Sequence, residues 1–241
     1  MLKDLHILLT NDDNHESPLL HWLIDLLKHD NQVTVVAPAA ERSWTGKGMT
    51  CEGVLTVEST SLYDCQAFYV DGLPADCVNI GVHHLCQQRP DLIVSGINAG
   101  RNTASSFVIS SGTVGACFEA NILGIPAVAL SQNLEPELMQ QWRATRVMPK
   151  NRRIQLKKQI EKMIPKTFEF LNPFLGHDTP AVTWNVNFPS FWNENQDIKI
   201  LPVNHGRYGS IFIRAEGGFQ HFVSVDQIFK DTEPESDAAA L

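Results

Sequence analysis

Unbroken apolar runs alternate along this chain with stretches in which apolar positions recur every three or four residues. The first kind reads as strands buried on both faces, the second as helices with one buried stripe. Ile7-Leu8-Leu9 predicts a buried strand that breaks, through Thr10-Asn11-Asp12-Asp13-Asn14, into a polar turn. Ser17-Pro18 then opens a helix with the stripe Leu19, Leu20, Leu23, Ile24, Leu26 and Leu27, ending near residues 29–31. Residues 33–38 form a second β-branched run, parallel to the first across that helix.

The same reading predicts short strands at 54–58 and 67–70, as a hairpin or an addition to the sheet edge. A helix follows over 77–85 with Pro74 in its first turn, then a strand over 91–98 and a long loop from 99 to 111. A helix over 114–123 stops at Gly124, and residues 125–130 return as a strand. Residues 135–171 are helical in pattern, interrupted at Pro149 and Pro165. A strand over 182–188 ends at Pro189, and 198–203, 210–213 and 221–225 are short strand candidates. The acidic, alanine-rich tail from Thr232 is expected to fray. This order of elements predicts an α/β fold with a doubly wound, mostly parallel sheet. Residues 1–190 make the core and residues 191–241 an extended β-rich arm.

Composition narrows the function. The 241 residues are 43% hydrophobic and 19% charged, which is a globular composition. A net charge of −8 argues against a broad electrostatic grip on nucleic acid, though not against a small phosphorylated substrate. Five cysteines without CxxC spacing read as buried thiols rather than disulfides or a zinc site. No leader-like segment opens the chain and no apolar run reaches membrane-spanning length, so a cytoplasmic protein without a membrane partner is expected.

The chemistry collects at strand ends. Adjacent carboxylates at Asp12 and Asp13 repel each other and resist burial unless a proton or a cation neutralises them. A hard divalent ion suits their oxygens; a solvated, helix-capping turn is the other reading. The loop after the second strand, with Arg42-Ser43, is either a ligand loop or a connector. Ser95, Asn98 and Asn102 follow a further strand. Ser111-Gly112-Thr113 opens a helix, either as a phosphate seat or as plain capping. The basic cluster Arg143, Arg146, Lys150, Arg152, Arg153, Lys157 and Lys158 reads as a solvated helix face rather than a binding surface. Four polar clusters thus share one sheet edge, all oxygen donors. A divalent ion beside an anion-binding helix start is equipment for attacking a phosphate ester.

These motifs, Leu8 to Asp13, Val35 to Pro38 with Arg42-Ser43, Asp71-Gly72 with Pro74 to Val78, Asp91 to Asn98 with Gly100 and Asn102, and Ser111 to Gly115, resemble the stationary-phase survival protein SurE family over roughly residues 5–131. Asn185-Val186-Asn187-Phe188-Pro189 is a further echo. The resemblance implies a Rossmann-like three-layer sandwich and a metal-dependent nucleoside-monophosphate phosphatase, a 5′/3′-nucleotidase with exopolyphosphatase activity in some members. It implies one divalent ion per subunit (Mg²⁺, Mn²⁺ or Ca²⁺) on Asp12, Asp13, Ser43 and Asn98, with Asp12 and Asp13 catalytic. Asn11, Asn102, Ser111, Gly112 and Thr113 would bind phosphate or substrate. It also implies a homodimer or homotetramer with exchanged arms.

Departures from the family pattern are Asn14 and Trp44 in place of glycines, Leu73 in place of a hydroxyl residue, and Ser110 in place of a tyrosine. The loop from 102 to 111 is one residue longer than the family pattern, and the chain ends where the family continues into a last strand. A receiver-type signalling domain is excluded by the missing phosphoacceptor aspartate after the third strand and the missing lysine after the fifth. A catalytically weak nucleotide- and metal-binding module, acting in assembly or sensing, is the alternative function.

Overall fold

The structure, a computed structural model, describes residues 2–175, 179–193, 195–223 and 232–241. Seven of its strands are β1 (His6–Thr10), β2 (Gln32–Pro38), β3 (Val57–Leu62), β4 (Cys65–Val70), β5 (Leu92–Ala99), β6 (Ala127–Gln132) and β7 (Thr183–Phe188). They form one sheet in the order β3-β4-β2-β1-β5-β6-β7. Every pairing is parallel except the β3–β4 hairpin, in which β3 is the antiparallel edge. The helices are α1 (Pro18–Leu27), α2 (Pro74–Ile80), α3 (Ala104–Ser110), α4 (Gly112–Ile122), α5 (Pro136–Thr145) and α6 (Lys150–Leu171). A π-helical turn, Gly81–Leu85, continues α2.

The unbroken apolar runs are explained by burial on both faces. Ile7 and Leu9 pack with Leu23 of α1 and Ile164 and Phe168 of α6. Between them Leu8 points the other way, into a second core with Val78 of α2 and Cys117 of α4. Each such side chain, taken fully out of water, contributes about 1.5–3 kcal/mol. The sheet is therefore the middle layer of a three-layer α/β sandwich.

Four expectations need correction. The 99–111 loop contains α3, whose only buried residue is Ala104, so no apolar stripe announces it. Helix α6 runs through Pro165. Losing one hydrogen bond there costs about 3 kcal/mol, less than the burial of Phe168 and Leu171 beyond it returns. Residues 198–203 are irregular, and among the described residues the arm carries instead one hairpin, β8 (Phe212–Ala215) with β9 (Gly218–His221). The end of the 221–225 candidate lies outside the described residues. Residues 232–241 dock rather than fray: Ser236 and Ala238 are buried, and the Asp237 carboxylate accepts hydrogen bonds from the Ala104 and Asn204 N–H groups at 3.0 and 2.8 Å.

Candidate active site

The chain lays β1, β2 and β4 outward on one side and β5, β6 and β7 on the other, so strand order reverses between β1 and β5. In such sheets the ligand crevice opens outside the carboxyl ends of the strands at that reversal. Asp12 and Asp13 follow β1 there, and Asn98-Ala99 ends β5 beside them. A one-residue bulge between Ser95 and Asn98, against Ala129 and Ser131 of β6, resets the pleat before Asn98.

Asp12 is buried and fastened to the start of α4. Its Oδ1 accepts from the Thr113 hydroxyl at 2.6 Å and its Oδ2 from the Thr113 N–H at 3.2 Å. Gly112 makes this approach possible. A Cβ at that position would stand 3.0 Å from the Asp12 Cβ and 3.1 Å from the Arg42 carbonyl oxygen. The Ser111 hydroxyl accepts from the Val114 N–H and caps the helix. Asp13 is held from the other side, its Oδ2 accepting from the Ala99 N–H at 2.9 Å. Asn14 takes the left-handed conformation, φ 76°, that the turn after the acid pair requires.

Both acids are pushed above the ordinary carboxylate range. For Asp12 burial is the main cause, opposed by the two Thr113 hydrogen bonds. For Asp13 burial again leads, followed by the negative charge of Asp12, with Arg146 acting in the opposite sense. Two neighbouring carboxylates with suppressed charge are what a cation would relieve. The side-chain oxygen of fully buried Asn11 has no hydrogen-bond partner among the described residues, while its amide donates to the Asn14 carbonyl. These are hard oxygen donors only. Among the described residues no group of three or more His, Cys, Asp and Glu could hold a metal, so a site here needs neutral oxygens beside its two carboxylates. The donor set fits Mg²⁺, Mn²⁺ or Ca²⁺ rather than zinc.

The other expected residues are placed less directly. The Ser43 hydroxyl is exposed and donates to Glu41 at 2.8 Å, not to the acid pair. The Asn98 amide donates to the Gly100 carbonyl at 2.9 Å. Asn102 is buried in a polar network: its amide donates to the Ser131 hydroxyl, its N–H to Asn187, and its carbonyl accepts from Asn185. Sequence reasoning missed Glu41 and Arg146, which form an ion pair beside Ser43. Nothing in the α5 pattern distinguishes Arg146 from its solvated neighbours, and only the left-handed end of that helix, φ 55°, turns it toward the site. An open cleft of about 550 Å³ lies at the opposite, amino-terminal edge of β1 and β2, lined by Lys3, His6, Lys28 and Asp91, and shares no residue with this constellation.

Fold and site together define a doubly wound α/β protein whose acid pair is clamped between a strand end and a helix start. The family model "Survival protein SurE" matches residues 7–210, and the chain belongs to that family. It is 49% identical over 128 residues to the 5′-nucleotidase SurE of Pelobacter propionicus, covering 53% of this chain and 50% of that protein. It is 34% identical over 204 residues to the 5′-nucleotidase SurE of Methanopyrus kandleri, covering 85% and 74%. The crystal structure of the SurE protein from Aquifex aeolicus superposes with a TM-score of 0.72 at 28% identity, over 98% of this chain and 88% of that one. The chain spans half the length of the Pelobacter relative in that match. No helix among the described residues is long and apolar enough to cross a membrane.

Proposed function

We propose that this protein is a phosphoric monoester hydrolase that cleaves nucleoside monophosphates to nucleoside and phosphate, with one divalent cation per subunit. The observation that carries the reading is the direct clasp of Asp12 by both donors of Thr113, which joins an acid pair to an anion-attracting helix start. The names of the relatives support the same activity.

Asp12, Asp13, Asn98 and, after leaving Glu41, Ser43 would hold the cation. When bound, such an ion offsets charge on phosphoryl oxygens and lowers the pKa of coordinated water. Asn102, Ser111 and Gly112 would hold the phosphate, joined by Thr113 and Asn11 after their donors leave Asp12 and the Asn14 carbonyl. Water attacks phosphorus in line, Asp12 or Asp13 accepts its proton, and the nucleoside oxygen leaves. Attack by an aspartate, forming an acyl phosphate, is the alternative course. A homodimer or homotetramer is part of the proposal, supported by the solvent-facing phenylalanines Phe212 and Phe219 of the arm hairpin. Free cysteines are consistent with the reducing cytoplasm.

The test is phosphate release from a panel of 5′- and 3′-nucleoside monophosphates, polyphosphate and an aryl phosphate. It is run with chelator and then with Mg²⁺, Mn²⁺ or Ca²⁺ restored. Turnover that survives exhaustive chelation refutes the cation's role. Binding without turnover in every metal supports the sensing module instead. Asp12→Asn is expected to abolish turnover while the folded spectrum stays unchanged.

A further inference from the structure

The loop after β2 is fastened at both ends to the site just described. The Arg42 N–H donates to the Asp12 carbonyl at 2.9 Å, and the Gly46 N–H donates to the Ser110 carbonyl at 3.0 Å. Between these two ties stands Trp44, immediately after Ser43. It occupies the left-handed region, φ 63°, at a position where the family pattern expects glycine. A bulky side chain persists in that conformation only where its surroundings hold it there, and such outliers cluster at ligand sites.

What holds the indole is a ring of aromatic side chains from separate segments. Its centroid lies 5.5 Å from Phe107 of α3, 5.9 Å from Tyr208 before β8 and 5.0 Å from His221 of β9. Phe107 and Tyr208 meet at 5.8 Å, and Phe212 approaches His221 at 5.6 Å. The planes are inclined by 60–77° throughout, so no two of these rings form a parallel stack. None belongs to either apolar core. Trp44, Phe107 and Tyr208 are half-buried, and His221 is exposed. The cluster also abuts the helix start: the Ser110 hydroxyl, one residue before Ser111, lies 3.5 Å from the Tyr208 hydroxyl.

We propose that Trp44, Phe107, Tyr208 and His221 form a stacking box for the planar base of the substrate, an inference that rests on the nucleotidase reading. A flat heterocycle gains from inclined ring faces what a sugar phosphate without a base does not. Stacking is tolerant of base identity because every base has a π-face, and it changes affinity by about 5- to 150-fold per base. The box therefore favours nucleotides over other phosphate esters while discriminating weakly between adenine and cytosine. Two of its walls come from the arm, so the arm completes the substrate site.

The experiment compares kcat/KM for AMP, CMP and ribose 5-phosphate, using the full chain with Mg²⁺ or Mn²⁺. Ribose 5-phosphate keeps sugar and phosphate but lacks the base. The expected result is a preference for both nucleotides of about 5-fold or more, carried by KM. Trp44→Ala and His221→Ala each lower that preference, and Trp44→Phe retains it. A preference near unity in the unaltered protein, or one unchanged in both alanine variants, overturns the box. His221→Ala, on the exposed hairpin, keeps the test open should Trp44→Ala fail to fold. If no ester is turned over in any metal, the nucleotidase reading fails by itself. The box is then judged by saturation-transfer NMR with AMP and metal-free protein: base-proton transfer lost in Trp44→Ala supports it, and no transfer to the unaltered protein overturns it.

Discussion

Replacing Thr113 by valine removes one hydroxyl from the centre of the site and leaves the helix backbone in place. The lost contact is a 2.6 Å hydrogen bond to the Asp12 carboxylate at a fully buried residue, while the Thr113 N–H remains 3.2 Å from the other oxygen. A hydrogen bond to a buried charge is worth about 1.5–3 kcal/mol. At about 1.4 kcal/mol per pH unit, that raises Asp12 by roughly one to two units more. The direction is set by which form the donor favours. It stabilises the carboxylate, so its loss favours the proton, and a cation must then displace that proton to bind. Asp12, raised to about 6 in the parent, is already mostly ionised at pH 7, so Thr113→Val should weaken Mn²⁺ binding there about 2- to 15-fold, with the deficit closing as pH rises. Calorimetric titration of the metal-free variant and parent, at neutral and at alkaline pH, reads both quantities. Equal affinities at neutral pH would refute the argument. So would a deficit of constant size, which would mean that the hydroxyl acts on something other than the proton of Asp12.

The raised pair also sets how the metal-free protein responds to pH. Its folded-state carboxyls hold protons that the unfolded chain releases, so stability is greatest below about pH 4 as far as these groups count, and is lost as pH rises through their elevated values. Thermal melts should show that loss between about pH 4 and about 8, the raised value of Asp13, and saturating Mg²⁺ or Mn²⁺ should reverse it; a metal-free melting temperature flat in pH would contradict the burial. Asp237→Ala removes the acceptor for two backbone N–H groups and should destabilise the packing of the tail by about 1–3 kcal/mol, read as faster hydrogen exchange at Ala104 and Asn204. Unchanged exchange there would mean that the tail is not what protects those amides.

The strands of the sheet were legible because burial on both faces leaves an unbroken apolar run, as in Ile7-Leu8-Leu9. The acid pair was legible for a related reason, since a strand end is where side chains leave the core for the crevice. What the pattern hid were features fixed by tertiary contact. Helix α3 buries only Ala104, so it has no stripe to read. Pro165 signals a break, but the packing of Phe168 and Leu171 beyond it outweighs the missing bond. The docking of the tail depends on Asp237 meeting amides far away in sequence, which local composition cannot express. Within the site, Ser111-Gly112-Thr113 read equally as capping and as a phosphate seat. Ser111 caps α4, while Thr113 spends both donors on Asp12.

Asp12 is tied to α4 and Asp13 to the last residue of β5, although both belong to the loop that leaves β1. The first eighty or so residues thus carry the two acids, but the Thr113 and Ala99 donors that hold their carboxylates come from the later half of the sheet. A nascent chain or a fragment ending before β5 would have the carboxylates and no means of aiming them. Under the proposed function, competence therefore needs both halves of the sheet, and a fragment ending before β5 should release no phosphate from a nucleotide.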